Sequence, residues 1–218
     1  VAINNVYIKG VNNAELKNEL GSDYALTAGG KNVVYDGITF PEYVSFNSGA
    51  ENVTFKNCTF KGGLKVMQAI NVTVYNCKFE GDGTKDYAFF AQAVPANSMN
   101  AVQFNNNTVS GFMRGLNVQA EGAAVTISGN TFTKVDVADT AAEGKAGTRG
   151  LIQIAKSGTY TNTNYDFSNN TAPDCGPVLR QLNESVVLDT NDTEDLEGIS
   201  GTLYTSDSKQ AATVAGVV

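Results

Sequence analysis

The chain repeats a nine-residue pattern in which apolar and polar positions alternate. Its clearest copies are residues 52–60 and 71–79, which read Asn-Val-Thr-Phe-Lys-Asn-Cys-Thr-Phe and Asn-Val-Thr-Val-Tyr-Asn-Cys-Lys-Phe. Further copies begin at residues 32, 101, 124 and 164, and a weaker copy begins at residue 185. Positions two and four are apolar and the position between them is usually polar. Because alternate residues share one face of a strand, each copy predicts a β-strand with one buried face.

The spacing of the copies predicts how these strands are arranged. Successive copies start 20, 19, 30, 23, 40 and 21 residues apart. A base period near twenty residues with occasional insertions is typical of a solenoid. The inward positions are β-branched and aromatic, without the leucine grid of leucine-rich repeats and without a six-residue period. The pattern therefore predicts an all-β parallel β-helix of about seven coils over residues 32–193.

Repeat position seven predicts a column of side chains stacked inside the coils. It is occupied by Ile38, Cys58, Cys77, Asn107, Asn130, Asn170 and Asn191. Stacked Asn side chains can hydrogen-bond along such a column and satisfy buried backbone groups. For Cys58 and Cys77, which occupy adjacent coils, two interpretations stay open: buried free thiols that act as small apolar groups, or a disulfide.

These columns resemble those of the right-handed parallel β-helices in the pectate-lyase-like superfamily, over about residues 32–193. The resemblance implies a right-handed helix. The superfamily includes polysaccharide lyases and glycoside hydrolases. The resemblance implies that a lyase of this kind would use clustered Asp residues for Ca²⁺ and an Arg or Lys as base, and that a hydrolase would use Asp residues clustered on adjacent coils, often with a His nearby.

The remaining segments are predicted to complete the coils and close their ends. A second apolar strand follows each strong copy, near residues 43–46, 64–67, 87–91, 115–119, 150–154 and 178–182. Residues 1–31 are predicted to form an N-terminal cap with a short helix over residues 14–20, capped by Asn13 and stopped at Gly21. Residues 194–218 are predicted to be a C-terminal cap or a linker.

The composition excludes several classes of partner and site. With 15 basic and 22 acidic residues among 218, the net charge is −7, which disfavours nucleic acid and anionic membranes as partners. No apolar run approaches the length of a membrane span, and no signal peptide is visible, so we expect a mature or trimmed chain. There is no His, and the three Cys lack metal-binding spacing, so no metal site is predicted.

Candidate chemistry centres on two Arg-Gly-Leu motifs, at Arg114 and Arg149, which each precede a second strand. Insertions at residues 80–85 and 133–148 leave the coils on the same side, and loops on a rigid scaffold often carry function. One interpretation is an anion or sugar site in which the arginines grip a carboxylate and Asp residues bind Ca²⁺ or act as acid and base. The other is that the arginines pair with loop carboxylates and fix the loops. The candidate ligand-binding residues are Arg114, Arg149, Asp82, Asp86, Tyr87, Asn117 and Gln119.

The absence of His and the single carboxylate at repeat position three, Asp166, favour a non-catalytic role. We expect a secreted or cell-surface module, bacterial in origin, that binds a polysaccharide or surface glycan, or that acts as an adhesive or structural segment with a protein partner. No cofactor is expected, with Ca²⁺ as the one alternative. The alternative function is a polysaccharide lyase or glycoside hydrolase with a loop-built site near Arg114, for which the catalytic candidates are Asp136, Asp139 and Arg149.

Overall fold

The computed structural model describes residues 4–17, 24–26, 30–46, 50–92, 99–119, 123–135, 152–154, 164–166, 168–172, 175, 179–181, 203–205 and 210–212. Throughout these ranges the regular structure is β-strand, and none of them contains a helix. The strands form three sheets in which neighbouring strands come from successive coils. The predicted all-β parallel solenoid is therefore confirmed.

The first sheet contains the strands predicted from the nine-residue pattern. Its strands, in spatial order, are β1 (Val6–Lys9), β3 (Lys31–Asp36), β6 (Glu51–Lys56), β9 (Asn71–Tyr75), β12 (Ala101–Asn105), β15 (Ala124–Ser128) and β18 (Asn164–Asp166). Six of them belong to the copies that start between residues 32 and 164, and β1 is an additional strand. The copy that begins at residue 185 lies outside the described residues.

The second sheet was not predicted as a separate element. Its strands are β4 (Thr39–Phe40), β7 (Thr59–Phe60), β10 (Lys78–Glu80), β13 (Thr108–Ser110) and β16 (Thr131–Thr133). They contain repeat positions eight and nine, so each full coil has three strands. Strands of two or three residues are too short to show alternation by themselves.

The third sheet contains the predicted second strands. Its strands, in spatial order, are β2 (Tyr24–Leu26), β5 (Val44–Phe46), β8 (Leu64–Met67), β11 (Tyr87–Gln92), β14 (Arg114–Gln119), β17 (Ile152–Ile154), β19 (Leu179–Gln181), β20 (Leu203–Thr205) and β21 (Gln210–Ala212). All of these pairs are parallel except β20 with β21, which is antiparallel. Residues 1–31 and 194–218, predicted as end segments, thus contribute strands to this sheet.

The repeat is in register from coil to coil, so each column of the pattern becomes a column in space. Val53 pairs with Val33 and Val72, and Phe60 pairs with Phe40 and Phe79. The columns at positions two, four and nine form the apolar core, with side chains at most 4 % exposed: Val33, Tyr35, Phe40, Val53, Phe55, Phe60, Val72, Val74, Phe79, Val102, Phe104, Val109, Val125, Ile127 and Phe132.

The predicted helix over residues 14–20 is not present in its described part. Residues 14–17 are extended: Glu15 forms a parallel bridge with Thr39, and the backbone N–H of Leu16 donates to the carbonyl of Thr39 at 2.9 Å. Leu16 therefore continues the column of Phe40 and packs against the core. The four-residue spacing of Leu16 and Leu20 is typical of an amphipathic helix, but Leu16 belongs to the column of Phe40 in a sheet.

The corner between the first and second sheets is made by one residue in the left-handed region. The φ angles there lie between 53° and 68°, at Gly37, Asn57, Asn76, Asn106, Gly129 and Asn169. Gly and Asn are the residues that adopt this conformation with least strain. All six stand at repeat position six, so this conformation explains why that position is Asn or Gly in the six copies that start between residues 32 and 164.

Position seven forms the predicted internal column. Asn130 accepts from the backbone N–H of Asn107 at 2.8 Å, and the same contact joins Asn170 to Asn130 at 3.0 Å. Cys58 and Cys77 are both buried free thiols, so the disulfide interpretation is wrong. The Cys77 sulfur lies 3.4 Å from the backbone N of Cys58 and takes the place of an Asn oxygen. Burial raises the pKa of the Cys77 thiol, which keeps that thiol protonated.

Asp36 joins the first three strands of the first sheet on the outer surface. Its carboxylate accepts from the Tyr7 hydroxyl and from Asn57 Nδ2 at 2.7 Å, and lies 3.4 Å from the Lys56 ammonium. Asn57 in turn accepts from Asn76, so a chain of amides ends on this anion. The hydrogen bonds from Tyr7 and Asn57 and the charge of Lys56 hold the pKa of Asp36 below its ordinary value.

This network predicts an acid-sensitive contribution to stability. Because the folded pKa of Asp36 is lowered, the contribution is complete above the unfolded value of about 3.9 and is lost as the pH falls through the folded pKa. We expect the urea midpoint to fall less between about pH 6 and about pH 2.5 in Asp36→Asn than in the wild type. Glu80→Gln, which removes an exposed carboxylate, is the control and should keep the wild-type slope; equal slopes for all three proteins would contradict this account.

Candidate functional site

A pocket of about 280 Å³ lies where the strands of the third sheet begin. Its walls are Tyr43, Gly62 and Tyr87 from three successive coils, together with Thr84, Lys85 and Asp86. The predicted insertion at residues 80–85 supplies Thr84 and Lys85. Since the strands are parallel neighbours, residues just before or at their first positions lie along one edge.

Two glycines allow the coils to pass closely beneath this pocket. A Cβ on Gly62 would lie 2.1 Å from the backbone N of Tyr43, and a Cβ on Gly63 would lie 2.4 Å from the carbonyl oxygen of Tyr87. Gly63 also has a φ of +100°, which other residues rarely adopt. Any larger residue at these positions would therefore displace the two tyrosines that wall the pocket.

Arg114, from the next coil, is fixed beside the pocket by three side-chain contacts and one backbone hydrogen bond. Its Nη1 donates to the Tyr87 hydroxyl at 2.7 Å, and its guanidinium carbon lies 5.0 Å above the Tyr87 ring. Its Nε lies 3.1 Å from Asp86 Oδ1. Because the buried N–H of Nε has no aligned acceptor, this contact is an ion pair and not a hydrogen bond. The backbone N–H of Arg114 also donates to the Asp86 carbonyl at 2.9 Å. For Arg114, the interpretation as an arginine that pairs with a loop carboxylate agrees with this geometry.

Aromatic and cationic side chains form a four-membered stack across three coils. The rings of Tyr87 and Phe90 are stacked with centroids 5.6 Å apart, and the Lys65 ammonium lies 4.9 Å above Phe90. Both Ala88 and Phe89 are buried, so the alternation of buried and outward-facing side chains along β11 shifts by one residue. This shift places both stacked rings on the outer surface. The order of the stack is Lys65, Phe90, Tyr87, Arg114.

Amide side chains lie next to this stack. Phe90 pairs in register with Asn117, and Gln92 pairs with Gln119. Gln92 Nε2 donates to Gln119 Oε1 at 3.3 Å. Asn117 is only 4 % exposed, and its Oδ1 has no hydrogen-bond partner. The structure thus brings four of the predicted ligand-binding residues to one region: Asp86, Tyr87, Arg114 and Asn117.

The charge of this region is opposite to that of the whole chain. Among the described residues that line the pocket or belong to the stack, Lys65, Lys85 and Arg114 are cations and Asp86 is an anion. Asp86 is already paired with Arg114. Within this set of residues the excess is therefore positive, although the net charge of the chain is −7, and fixed cations favour an anionic ligand. Asp82, which is bound to Thr84, is a further carboxylate near this set.

The other predicted residues have different positions. Asp82 accepts from the N–H and the hydroxyl of Thr84 at 2.9 and 2.6 Å, contacts that lower its pKa, and so it stabilises the turn of the insertion. Gln119 lies farther along its strand than Asn117. Asp136, Asp139 and Arg149 lie outside the described residues. Leu116 pairs with Ile152, one residue later than a register that would align the two Arg-Gly-Leu motifs.

The sequence prediction missed Tyr43, Gly62 and Phe90. A usable signal was present, since aligning the second strands by their buried positions brings the residues that precede them to one edge. The copies of the nine-residue pattern align the strands of the first sheet. A prediction based on these copies does not compare the residues at which the second strands begin.

Two kinds of feature are absent from the described ranges. No group of three or more Cys, Asp or Glu side chains in them is placed to hold a metal ion. In the same ranges, no helix has the length and apolar character required to cross a bilayer.

The chain matches no protein-family model, no curated protein and no solved structure.

Proposed function

We propose that this chain is a secreted or cell-surface, non-catalytic β-helix module of the pectate-lyase-like kind, which binds a glycan at the pocket of the third sheet. The observation that carries the proposal is a pocket open to solvent that is lined by Tyr87 and Lys85, with Arg114 fixed beside it against Tyr87. Binding sites for small ligands combine apolar surface with a few oriented polar groups, and this pocket has both.

The stack favours recognition by charge. Lys65 covers one face of Phe90 and Arg114 covers one face of Tyr87, while the two rings face each other. The rings therefore hold two cations in place along the surface. Fixed cations lose little conformational entropy when they bind, which favours carboxylate or sulfate groups on the glycan.

The carboxylate arrangement supports a binding role. Glycoside hydrolases use two carboxyl groups separated by roughly 5–9.5 Å. Among the described residues that line the pocket, Asp86 supplies the one carboxylate, and it is paired with Arg114.

Replacement of Arg114 tests the proposal. We expect Arg114→Ala to weaken retention on acidic polysaccharides by roughly tenfold to a hundredfold, because it removes a fixed cation and leaves Asp86 without its partner. Retention is measured by affinity electrophoresis in gels that contain pectate, alginate or a neutral glucan. Lys78→Ala, which removes an exposed cation from the second sheet, is the matched control and should retain wild-type mobility.

Three results distinguish the possibilities. Retention of the wild type that is lost in Arg114→Ala and kept in Lys78→Ala supports the proposed site. Equal loss in both variants would indicate non-specific attraction to positive charge and contradict it. An absence of retention on every polysaccharide would also contradict it and favour a scaffold or adhesin with a protein partner.

A further inference from the structure

The contact between Arg114 and Asp86 leaves a strong hydrogen-bond donor unused. Arg114 Nε lies 3.1 Å from Asp86 Oδ1, but the N–H of this buried nitrogen has no aligned acceptor. A buried donor without an acceptor is unfavourable, and more so when the donor is charged. The Asp86 carboxylate therefore covers the Nε edge of the guanidinium and compensates its charge, but does not satisfy its hydrogen bonding.

The two side chains of this pair differ in how firmly they are held. The Asp86 side chain is 55 % exposed, and among the described residues Arg114 is the one partner of its carboxylate. Arg114 keeps two side-chain contacts that do not involve this carboxylate. Its Nη1 donates to the Tyr87 hydroxyl at 2.7 Å, and its guanidinium lies 5.0 Å above the Tyr87 ring. The Asp86 carboxylate can therefore move into solvent while Arg114 stays in place.

The backbone of Asp86 explains why its carboxylate does not align with Nε. The Asp86 carbonyl accepts from the backbone N–H of Arg114 at 2.9 Å, so the short Asp side chain starts from a fixed point. A guanidinium binds a carboxylate best through two parallel N–H···O bonds along one edge of its planar fork. Nη1 is engaged by Tyr87, so the edge beside Asp86 is the Nε edge. A carboxylate that is not tied to this backbone can align with that edge.

We propose that Asp86 is an internal competitor of the ligand. It occupies the Nε edge of Arg114 in the free protein and is displaced by a carboxylate group of the bound glycan. This inference rests on the proposed glycan site and names the ligand group that the site recognises. Asp86 belongs to the pocket wall and Arg114 does not, so displacement of Asp86 opens the pocket to the guanidinium. Because the displaced group is itself a carboxylate, a group of the same shape and charge fits there.

Asp86→Asn tests this inference, because it removes the competing charge and keeps the backbone carbonyl that binds Arg114. Affinity electrophoresis in gels that contain pectate or alginate measures the dissociation constant of each variant for a carboxylated polymer. We expect Asp86→Asn to bind about twofold to fivefold more tightly than the wild type, since a partly exposed ion pair no longer has to be broken. An Asp86 that only positioned Arg114 would give the opposite result, weaker binding in the variant.

Two further variants separate this effect from general charge. Glu80→Gln raises the net charge by the same one unit at an exposed position of β10 and should bind as the wild type does. In the Arg114→Ala background, Asp86→Asn should give no gain, because no guanidinium is left to uncover. Methyl-esterified pectate keeps the sugar rings and lacks the free carboxylates, and dextran sulfate carries a different anion. The gain should be absent on the first polymer and smaller on the second than on pectate.

The outcomes distinguish this inference from the proposed function. Retention of the wild type with no tighter binding by Asp86→Asn would overturn the inference and leave the glycan site standing. A gain that Glu80→Gln matches, or one that persists in the Arg114→Ala background, would overturn it as well. An equal gain on dextran sulfate and pectate would contradict the assignment to a carboxylate. If neither the wild type nor Asp86→Asn is retained on any polymer, the glycan site itself is contradicted.

Discussion

Replacing Phe60 with alanine is expected to destabilise the solenoid by about 3–5 kcal/mol. Phe60 is fully buried, and its ring stacks on Phe40 at 4.9 Å and on Phe79 at 4.8 Å. It also meets the edge of Phe55 at 5.6 Å. Neighbouring coils are held at the strand spacing by the backbone ladders, so they cannot collapse to fill the cavity. The large loss follows from this restricted relaxation.

Urea unfolding followed by circular dichroism measures this effect. Phe60→Leu keeps most of the volume and should lose markedly less stability than Phe60→Ala. Tyr75→Ala, which removes a ring that is 37 % exposed on the first sheet, is the surface control and should cost less than about 1 kcal/mol. Similar losses for Phe60→Ala and Tyr75→Ala would show that the aromatic column does not stabilise the fold.

Replacing Asn130 with leucine is expected to destabilise the fold by about 2–6 kcal/mol. Asn130 Oδ1 accepts from the backbone N–H of Asn107, and its Nδ2 donates to the carbonyl of Phe104 at 2.8 Å. Leucine has a similar volume and cannot make either bond. Two buried backbone groups would lose their partners, and each such group costs about 1–3 kcal/mol.

The neighbouring residue offers a matched control for this variant. Thr131, the first residue of β16, is exposed, and Thr131→Ala should change the unfolding free energy by less than about 0.5 kcal/mol. Asn130→Cys should be intermediate, because Cys77 shows that a sulfur can stand in this column as a weak acceptor. An Asn130→Leu protein as stable as Thr131→Ala would contradict the structural role of the amide column.

The sequence predicted the first sheet and much of the third because their inward columns are strictly apolar. An apolar residue stands at the repeat positions of Val53 and Phe55 in every strong copy. Burial on one face is the strongest signal that periodicity provides. The amide column at Asn107, Asn130 and Asn170 was predicted for the same reason, since each residue recurs at one repeat position. The free state of Cys58 and Cys77 required coordinates, because adjacent coils allow either interpretation.

The first coil was obscured by local signals. Val6, Ile8 and Leu16 belong to columns two, four and nine, but the turn at residues 10–13 lengthens the copy and hides its pattern. Asn13 was predicted to cap a helix, whereas both Asn12 and Asn13 have positive φ angles in a turn. Asn is favoured both at a helix N-cap and in a turn with positive φ, so the residue type alone could not distinguish a helix from a turn.

The candidate site was predicted in part. Asp86, Tyr87 and Arg114 were selected because they flank the insertion and the second strand, and the structure places them in contact. Phe90 was not selected, because strict alternation does not place it on the same side as Tyr87. The shift at Ala88 and Phe89 that brings the rings together depends on tertiary packing, which periodicity does not report.

The central functional claim is that this chain binds a glycan without cleaving it. The most direct measurement incubates the wild type with each polysaccharide, with and without Ca²⁺, and follows retention together with the appearance of reducing or unsaturated chain ends. We predict retention on an acidic polysaccharide and no new ends over time. New ends that appear with the wild type and disappear in Arg149→Ala or Asp139→Ala would contradict the claim and establish a lyase or hydrolase.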